Sequence, residues 1–160
     1  MTSFTGTALA NHIIGTFSAD TIIGLGGNDI LEGRGGNDII DGGAGNDRII
    51  GGAGADRLTG GAGIDTFAYL GLSDFPKVYG AEWITDWSHE DKIDLSAIDA
   101  NAMMAGNQAF NLNQLTYSDG ILTATVIGFG IPGSLDLQIH LVGSPPLDLA
   151  GPSPTNDIIL

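Results

Sequence analysis

Acidic and apolar residues recur along the first 68 positions with a period of nine, and that beat predicts most of the architecture. Three units keep it strictly: GGAGNDRII from Gly42, GGAGADRLT from Gly51 and GGAGIDTFA from Gly60. GLGGNDILE from Gly24 and GRGGNDIID from Gly33 keep it with one glycine displaced, and the degenerate GTALANHII from Gly6 and GTFSADTII from Gly15 precede them. The eighth place runs Ile13, Ile22, Leu31, Ile40, Ile49, Leu58, Phe67, and the sixth runs Asn11, Asp20, Asp29, Asp38, Asp47, Asp56, Asp65. Glycines at the first, second and fourth places permit a tight turn with exposed carbonyls, and the x-apolar-x tail is long enough for a very short strand. Each unit is therefore a turn plus a strand.

A strand and a turn reverse the chain, so two units make one coil and residues eighteen apart stack as neighbouring strands, roughly 4.8 Å from each other. Asp29, Asp47 and Asp65 then form one row, and Asp20, Asp38 and Asp56 form another on the opposite edge. Two carboxylates that close repel by roughly 3 kcal/mol at an effective dielectric of 20, so the rows require a counter-ion. A hard cation such as Ca2+, which takes six to eight oxygens at about 2.3–2.6 Å, can draw on carboxylates of two stacked turns and on uncovered glycine carbonyls. Four stacked aspartate pairs predict up to about four such sites. The ion is also needed for folding: one buried Ile or Leu contributes about 1.5–3 kcal/mol, against on the order of 9 kcal/mol for ordering nine backbones.

After Asp65 the beat dissolves and a conventional core begins, with Trp83, Ile84, Trp87, Ile93, Leu95 and Ile98 supplying bulk. SAIDANAMM predicts a short helical turn capped by Ser96. LTYSDGILTATVI reads as a hairpin turning at Asp119-Gly120, and LDLQIHLV from Leu135 alternates apolar and polar as a half-buried strand does. PPLDLAGPSP is a proline-rich connector. The expected division is a repeat domain over residues 1–68 and a β-rich cap over residues 69–160.

Composition narrows the partners. A net charge of −14 argues against nucleic acid and anionic membranes and suits cations. With no cysteine there is no disulfide framework, so stability must come from core and metal. The start, MTSFTGTALA, predicts no Sec leader, and no run approaches the roughly eighteen apolar residues of a spanning helix, so no membrane insertion is expected.

Other candidate chemistry is weak. His89-Glu90 lacks the second histidine of a zinc protease motif, and His12, His89 and His140 are dispersed. The Gly128-x-Gly130-x-x-Gly133 match to a dinucleotide fingerprint contains Pro132 and runs into a strand. Asp86, Asp94 and Asp99 carry no mark of a glycosidase pair, and Trp83 and Trp87 read as core in preference to a carbohydrate platform.

The chain resembles the C-terminal RTX region of serralysin-type secreted proteins, through its nonapeptides and through ITDWSHEDKIDLSAIDAN, which is similar to that family's linker. The resemblance implies an all-β, right-handed parallel β-roll with a β-rich C-terminal cap. It implies a noncatalytic Ca2+-binding module that folds outside the cell, a secreted location, and a C-terminal address for type I secretion machinery in the final Asp157-Ile158-Ile159-Leu160. By the same resemblance the metal ligands are the repeat acids Asp20, Asp29, Asp38, Asp47, Asp56 and Asp65. Carbonyls come from the turns, at Gly24, Gly26, Gly33, Gly35, Gly36, Gly42, Gly43, Gly45, Gly51, Gly52, Gly54, Gly60, Gly61 and Gly63. Asp74, Glu82 and Asp91 would close one further site, and GFGIPGS from Gly128 is expected to hold no metal.

A second reading is a glycan-binding accessory module like the R-modules of alginate C5-epimerases, with an acidic polysaccharide as partner. Against it, Arg48 and Arg57 stand on successive units, which places them on opposite faces.

Overall fold

A computed structural model describes residues 1–74, 81–88, 90–98, 115–126, 135–143 and 157–160. Strands alternate between two sheets. The first has the order β1 (Thr2–Thr5), β3 (Asp20–Ile23), β5 (Ile39–Ala44), β7 (Arg57–Ala62), β9 (Glu82–Trp87), β13 (Leu135–Gly143), β12 (Ile121–Val126), β11 (Leu115–Ser118). The second runs β14 (Ile158–Ile159), β10 (Lys92–Asp94), β8 (Thr66–Ala68), β6 (Arg48–Ala53), β4 (Ile30–Gly35), β2 (His12–Ile14). The fold is a parallel β-roll followed by a β-rich cap.

The register obeys the sequence beat. Ile22 pairs with Ile40 and Ile40 with Leu58 in one sheet, while Leu31 pairs with Ile49 and Ile49 with Phe67 in the other, each step eighteen residues. All six side chains are buried and form the spine between the sheets.

The strands are longer than the pattern implies. β4 to β7 each contain six residues, because pairing continues past the apolar position through the first three places of the next unit. Gly43, for example, pairs with Gly61. Identical coils superpose their turns as well as their strands, so the ladder does not stop where the apolar side chain does.

Beyond residue 68 both sheets continue after a longer step. Arg57 pairs with Trp83 and Thr66 with Lys92, each twenty-six residues on. Ile84 and Ile93 thereby join the spine as partners of Leu58 and Phe67, and Trp87 is buried with them, but Trp83, expected in the core, falls on the outer face of β9 and is exposed. The predicted hairpin is β11 and β12, with positive φ at Asp119 and Gly120 as a two-residue turn of this hand requires. β13 alternates as expected, burying Leu137, Ile139 and Leu141. Of the SAIDANAMM turn, the Ile98 N–H bonds to the Leu95 carbonyl and the Asp94 carboxylate accepts from Ser96; the remainder, like GFGIPGS, PPLDLAGPSP and His89, lies outside the described residues. Among the described residues, no helix is long and apolar enough to cross a membrane.

Candidate metal centres

Every repeat carboxylate leans onto the coil before it. The Asp47 Oδ1 accepts from the Asp29 N–H at 2.8 Å and the Asp65 Oδ1 from the Asp47 N–H at 2.8 Å. On the other edge the Asp38 and Asp56 Oδ1 atoms do the same for the N–H groups of Asp20 and Asp38. The two rows expected from the sequence are therefore physically continuous.

The second oxygen is the informative one. The Oδ2 atoms of Asp29, Asp38, Asp47, Asp56 and Asp65 and the Oε2 of Glu82 are buried and have no hydrogen-bond partner among the described residues. An unpaired buried carboxylate oxygen is costly, so six in two rows fit a role as cation ligands. Backbone oxygen is at hand. A Cβ added at Gly24 would strike both the Asp29 Oδ2 and the Gly42 carbonyl, and one at Gly33 would strike the Asp38 Oδ2 and the Gly51 carbonyl. Among the described residues, no three His, Cys, Asp or Glu side chains gather at one point, so carbonyls must complete any coordination shell. This donor set of carboxylate and carbonyl oxygen suits a hard divalent ion.

Burial and neighbouring carboxylates raise five of these acids, Asp38, Asp47, Asp56, Asp65 and Glu82. Asp56 is pushed up to about 7 by burial and by Asp38 and Asp74, and Asp65 to about 6 by burial and by Asp91, Asp47 and Asp86. Glu82 is pushed to about 9 by burial and by Asp56 and Asp74, while Asp38 and Asp47 also rise through burial.

The N-terminal coil differs in kind. The Asp20 Oδ2 accepts from the Thr16 N–H at 2.7 Å and the Thr16 hydroxyl at 2.8 Å, and its Oδ1 from the Thr2 N–H. Burial acts upward on Asp20, but these hydrogen bonds hold its carboxyl below the ordinary value. Asn11 is served likewise by Thr7. Threonine, at a place where later units carry glycine or a glycine-like backbone, thus supplies the protons that a cation would replace. In the sequence Thr7 and Thr16 register only as lost glycines.

The three acids expected to close one further site are divided. The Glu82 Oε1 accepts from the Asp56 N–H, which extends the row of Asp20, Asp38 and Asp56, and Asp74 lies close enough to raise both. The Asp91 Oδ1 accepts from the Asp65 N–H, which extends the other row, and its Oδ2 is held by the Ser88 N–H. The Asp74 Oδ2 is held by the N–H groups of Leu70 and Gly71.

The turn glycines fall into distinct places. Gly43, Gly45, Gly52, Gly54, Gly61 and Gly63 have positive φ, and a Cβ there would strike a carbonyl of the coil beneath. Gly27 and Gly36 also have positive φ, whereas Gly26 and Gly35 have room beside them. Leu25 and Arg34 occupy the second place with φ of 78° and 77°. Gly51 and Gly60 face the Oδ2 atoms of Asp56 and Asp65 as Gly42 faces that of Asp47. The sequence pattern did not reveal a further ladder: the Asn28, Asn37 and Asn46 side chains accept from the N–H groups of Asn46, Ala55 and Ile64. Its signal is the Asn before the repeat Asp in those three units.

A two-row stack of carboxylates around a parallel roll defines a cation-binding repeat protein. Residues 5–40 and 32–67 match the family of RTX calcium-binding nonapeptide repeats, with four copies to the family unit. The match spans residues 5–67 of the 160, and RTX nonapeptide repeats bind calcium. None of the curated proteins matches the chain. Among solved structures it is similar to the AlgE6R3 subunit of the Azotobacter vinelandii mannuronan C5-epimerase, at 25% identity, over 84% of this chain and 72% of that one, with a TM-score of 0.30.

Proposed function

We propose that the chain is a noncatalytic module whose roll folds when Ca2+ enters its carboxylate edges, and that it does so outside the cell in support of a protein exported by type I secretion. The observation that carries this reading is the double row of buried, unpartnered carboxylate oxygens. The ions would sit between stacked turns, held by Asp29, Asp38, Asp47, Asp56, Asp65 and Glu82 with carbonyls of Gly42, Gly51 and Gly60 and their neighbours. Residues 1–68 then hold most of the metal ligands, and residues 69–160 are the cap, which contributes Glu82 to one edge.

Linkage drives the folding. Ions that bind only the folded roll add about 2.7 kcal/mol per site at a hundredfold excess over Kd. A cell interior poor in free calcium leaves the chain open for export, and the exterior closes it. Circular dichroism during Ca2+ addition and EGTA withdrawal tests this, with Mg2+ as control. A reversible gain of β-structure with Ca2+ and not with Mg2+ is expected, since Mg2+ demands a tighter octahedral shell than stacked turns offer. A roll that keeps its shape after chelation sinks the reading.

A further inference from the structure

The N-terminal coil differs from the later ones in charge and in exposure. Residues 1–19 contain no Asp, Glu, Lys or Arg, in a chain of net charge −14. Large apolar side chains stand in the open there: Met1 and Phe17 are each 81% exposed and Leu9 74%, and Ile14 is exposed as well. The spine also lies uncovered at this end. Ile22 and Leu31 are fully buried at the eighth place of their units, whereas Phe4 and Ile13, which pack against the core, are only partly buried.

Both sheets end on this coil. Among the described residues β1 pairs with β3 alone and β2 with β4 alone, so each turns its other edge, with backbone N–H and C=O groups, outward. Sheet edges are ordinarily guarded by charged side chains, and these two carry none. The one titratable side chain of residues 1–19, His12, is engaged by the Glu32 Oε1 at 2.8 Å. The acid rows close before the edge is reached. Asn11 stands in place of the acid in one row, and in the other the Asp20 carboxylate is held by Thr16 and Thr2, so this end presents no unsatisfied carboxylate.

We propose that this end docks onto the same end of a second copy of the chain, giving a head-to-head dimer. A two-fold axis normal to the sheets lays β1 antiparallel to the β1 of the second copy and β2 antiparallel to its β2, so both sheets run through the junction. Phe4 and Ile13 then meet their counterparts, and one apolar spine serves two rolls. Charge selects the occupant. Two chains of net charge −14 repel each other, and residues 1–19 form the stretch where that repulsion is weakest, while a basic partner would find no acid there to hold it. An isologous contact of this kind is used up by one partner, so assembly stops at two. The surface exists only in the folded roll, and the dimer therefore rests on the reading that Ca2+ folds the chain.

Sedimentation velocity of the calcium-loaded full chain tests the proposal, with circular dichroism as the check of folding. A monomer–dimer equilibrium that depends on concentration, with no larger species, is expected. The double variant Ser3→Lys, Ile14→Lys, at exposed positions of β1 and β2, should raise the dimer Kd at least tenfold while the calcium midpoint stays put. Overall charge alone would act the other way, since two lysines reduce the net negative charge. Because the chain has no cysteine, Ser3→Cys should cross-link to its own kind through a short bismaleimide, and Ser118→Cys on β11, at the far edge of the same sheet, should not. A folded, calcium-loaded chain that is still monomeric at about 100 μM overturns the dimer alone and leaves the edge to a strand of another protein. A dimer that the lysines do not weaken, one that links through Ser118→Cys, or growth into larger species overturns the head-to-head surface. A chain that calcium does not fold overturns both readings.

Discussion

The two oxygens of a repeat carboxylate have separate tasks: Oδ1 joins its coil to the one before, and Oδ2 awaits an ion. Asp47 therefore lies between two neighbours in its row, whereas Asp20 is already satisfied by Thr16 and Thr2. Asp47→Ala should raise the calcium midpoint of folding roughly tenfold or more, and Asp20→Ala far less, as read by circular dichroism. Equal effects would refute the stacking scheme. Protonation adds a pH signature. Asp65, Asp56 and Glu82 have folded values of about 6, 7 and 9, above their ordinary ones, so the metal-free roll takes up protons on folding. Its stability should fall as pH rises through that window, while calcium affinity rises because the ion requires the charged forms. EGTA-treated chain should show more β-structure at about pH 5 than at about pH 9. Leu25 tests backbone strain instead: it is exposed and holds positive φ at a place where later units have glycine. Leu25→Gly should stabilise the calcium-loaded chain by about 0.5–1 kcal/mol in thermal unfolding.

Among the elements, the repeat strands were legible because one acid and one apolar residue at fixed phase leave a single workable register. Further on, β11, β12 and β13 were legible from a turn signal and from alternation, but β9 and β10 were not, since the step lengthens from eighteen residues to twenty-six. The beat nevertheless resumes: Glu82 and Asp91 are nine apart, and each is succeeded two places on by a spine residue, Ile84 and Ile93. That spacing could have assigned the two acids to opposite edges in place of one shared site. The final strand β14 coincides with the expected export address, and in the folded chain it also completes a sheet. The Asp157 and Ile159 carbonyls accept from the N–H groups of Ile93 and Leu95, and Ile158 joins the core. Removing residues 157–160 should strip hydrogen-exchange protection from the Ile93 and Leu95 amides and cost about 2 kcal/mol for the lost Ile158 burial. The same deletion should reduce type I export; undiminished secretion would place the address elsewhere.

At the scale of the whole molecule, stability is distributed unevenly along a continuous spine. Each nonapeptide places a single apolar residue in the spine, from half-buried Ile13 to Phe67, whereas the cap adds Trp87, Leu122, Leu137, Ile139 and Leu141 to Ile84 and Ile93. In a stack where each coil touches only its neighbours, stability is a sum of coil terms and interface terms, and an end with a large core acts as the template. The cap should therefore order first and the coils add onto β9 and β10 toward the N-terminus, each new turn completing a metal edge with the one already formed. The threonine-satisfied first coil then ends the stack without an ion. Two truncations separate this polarity from independent folding of the repeats. A chain lacking residues 1–23 should keep a cooperative calcium transition, reported by circular dichroism and by the fluorescence of Trp83 and buried Trp87. A fragment ending at residue 68 should stay largely disordered at the calcium concentration that folds the full chain, because its last coil has neither Glu82 nor Asp91 to accept from the Asp56 and Asp65 amides. If that fragment folds as readily as the parent, the template lies within the repeats and the cap is a passenger.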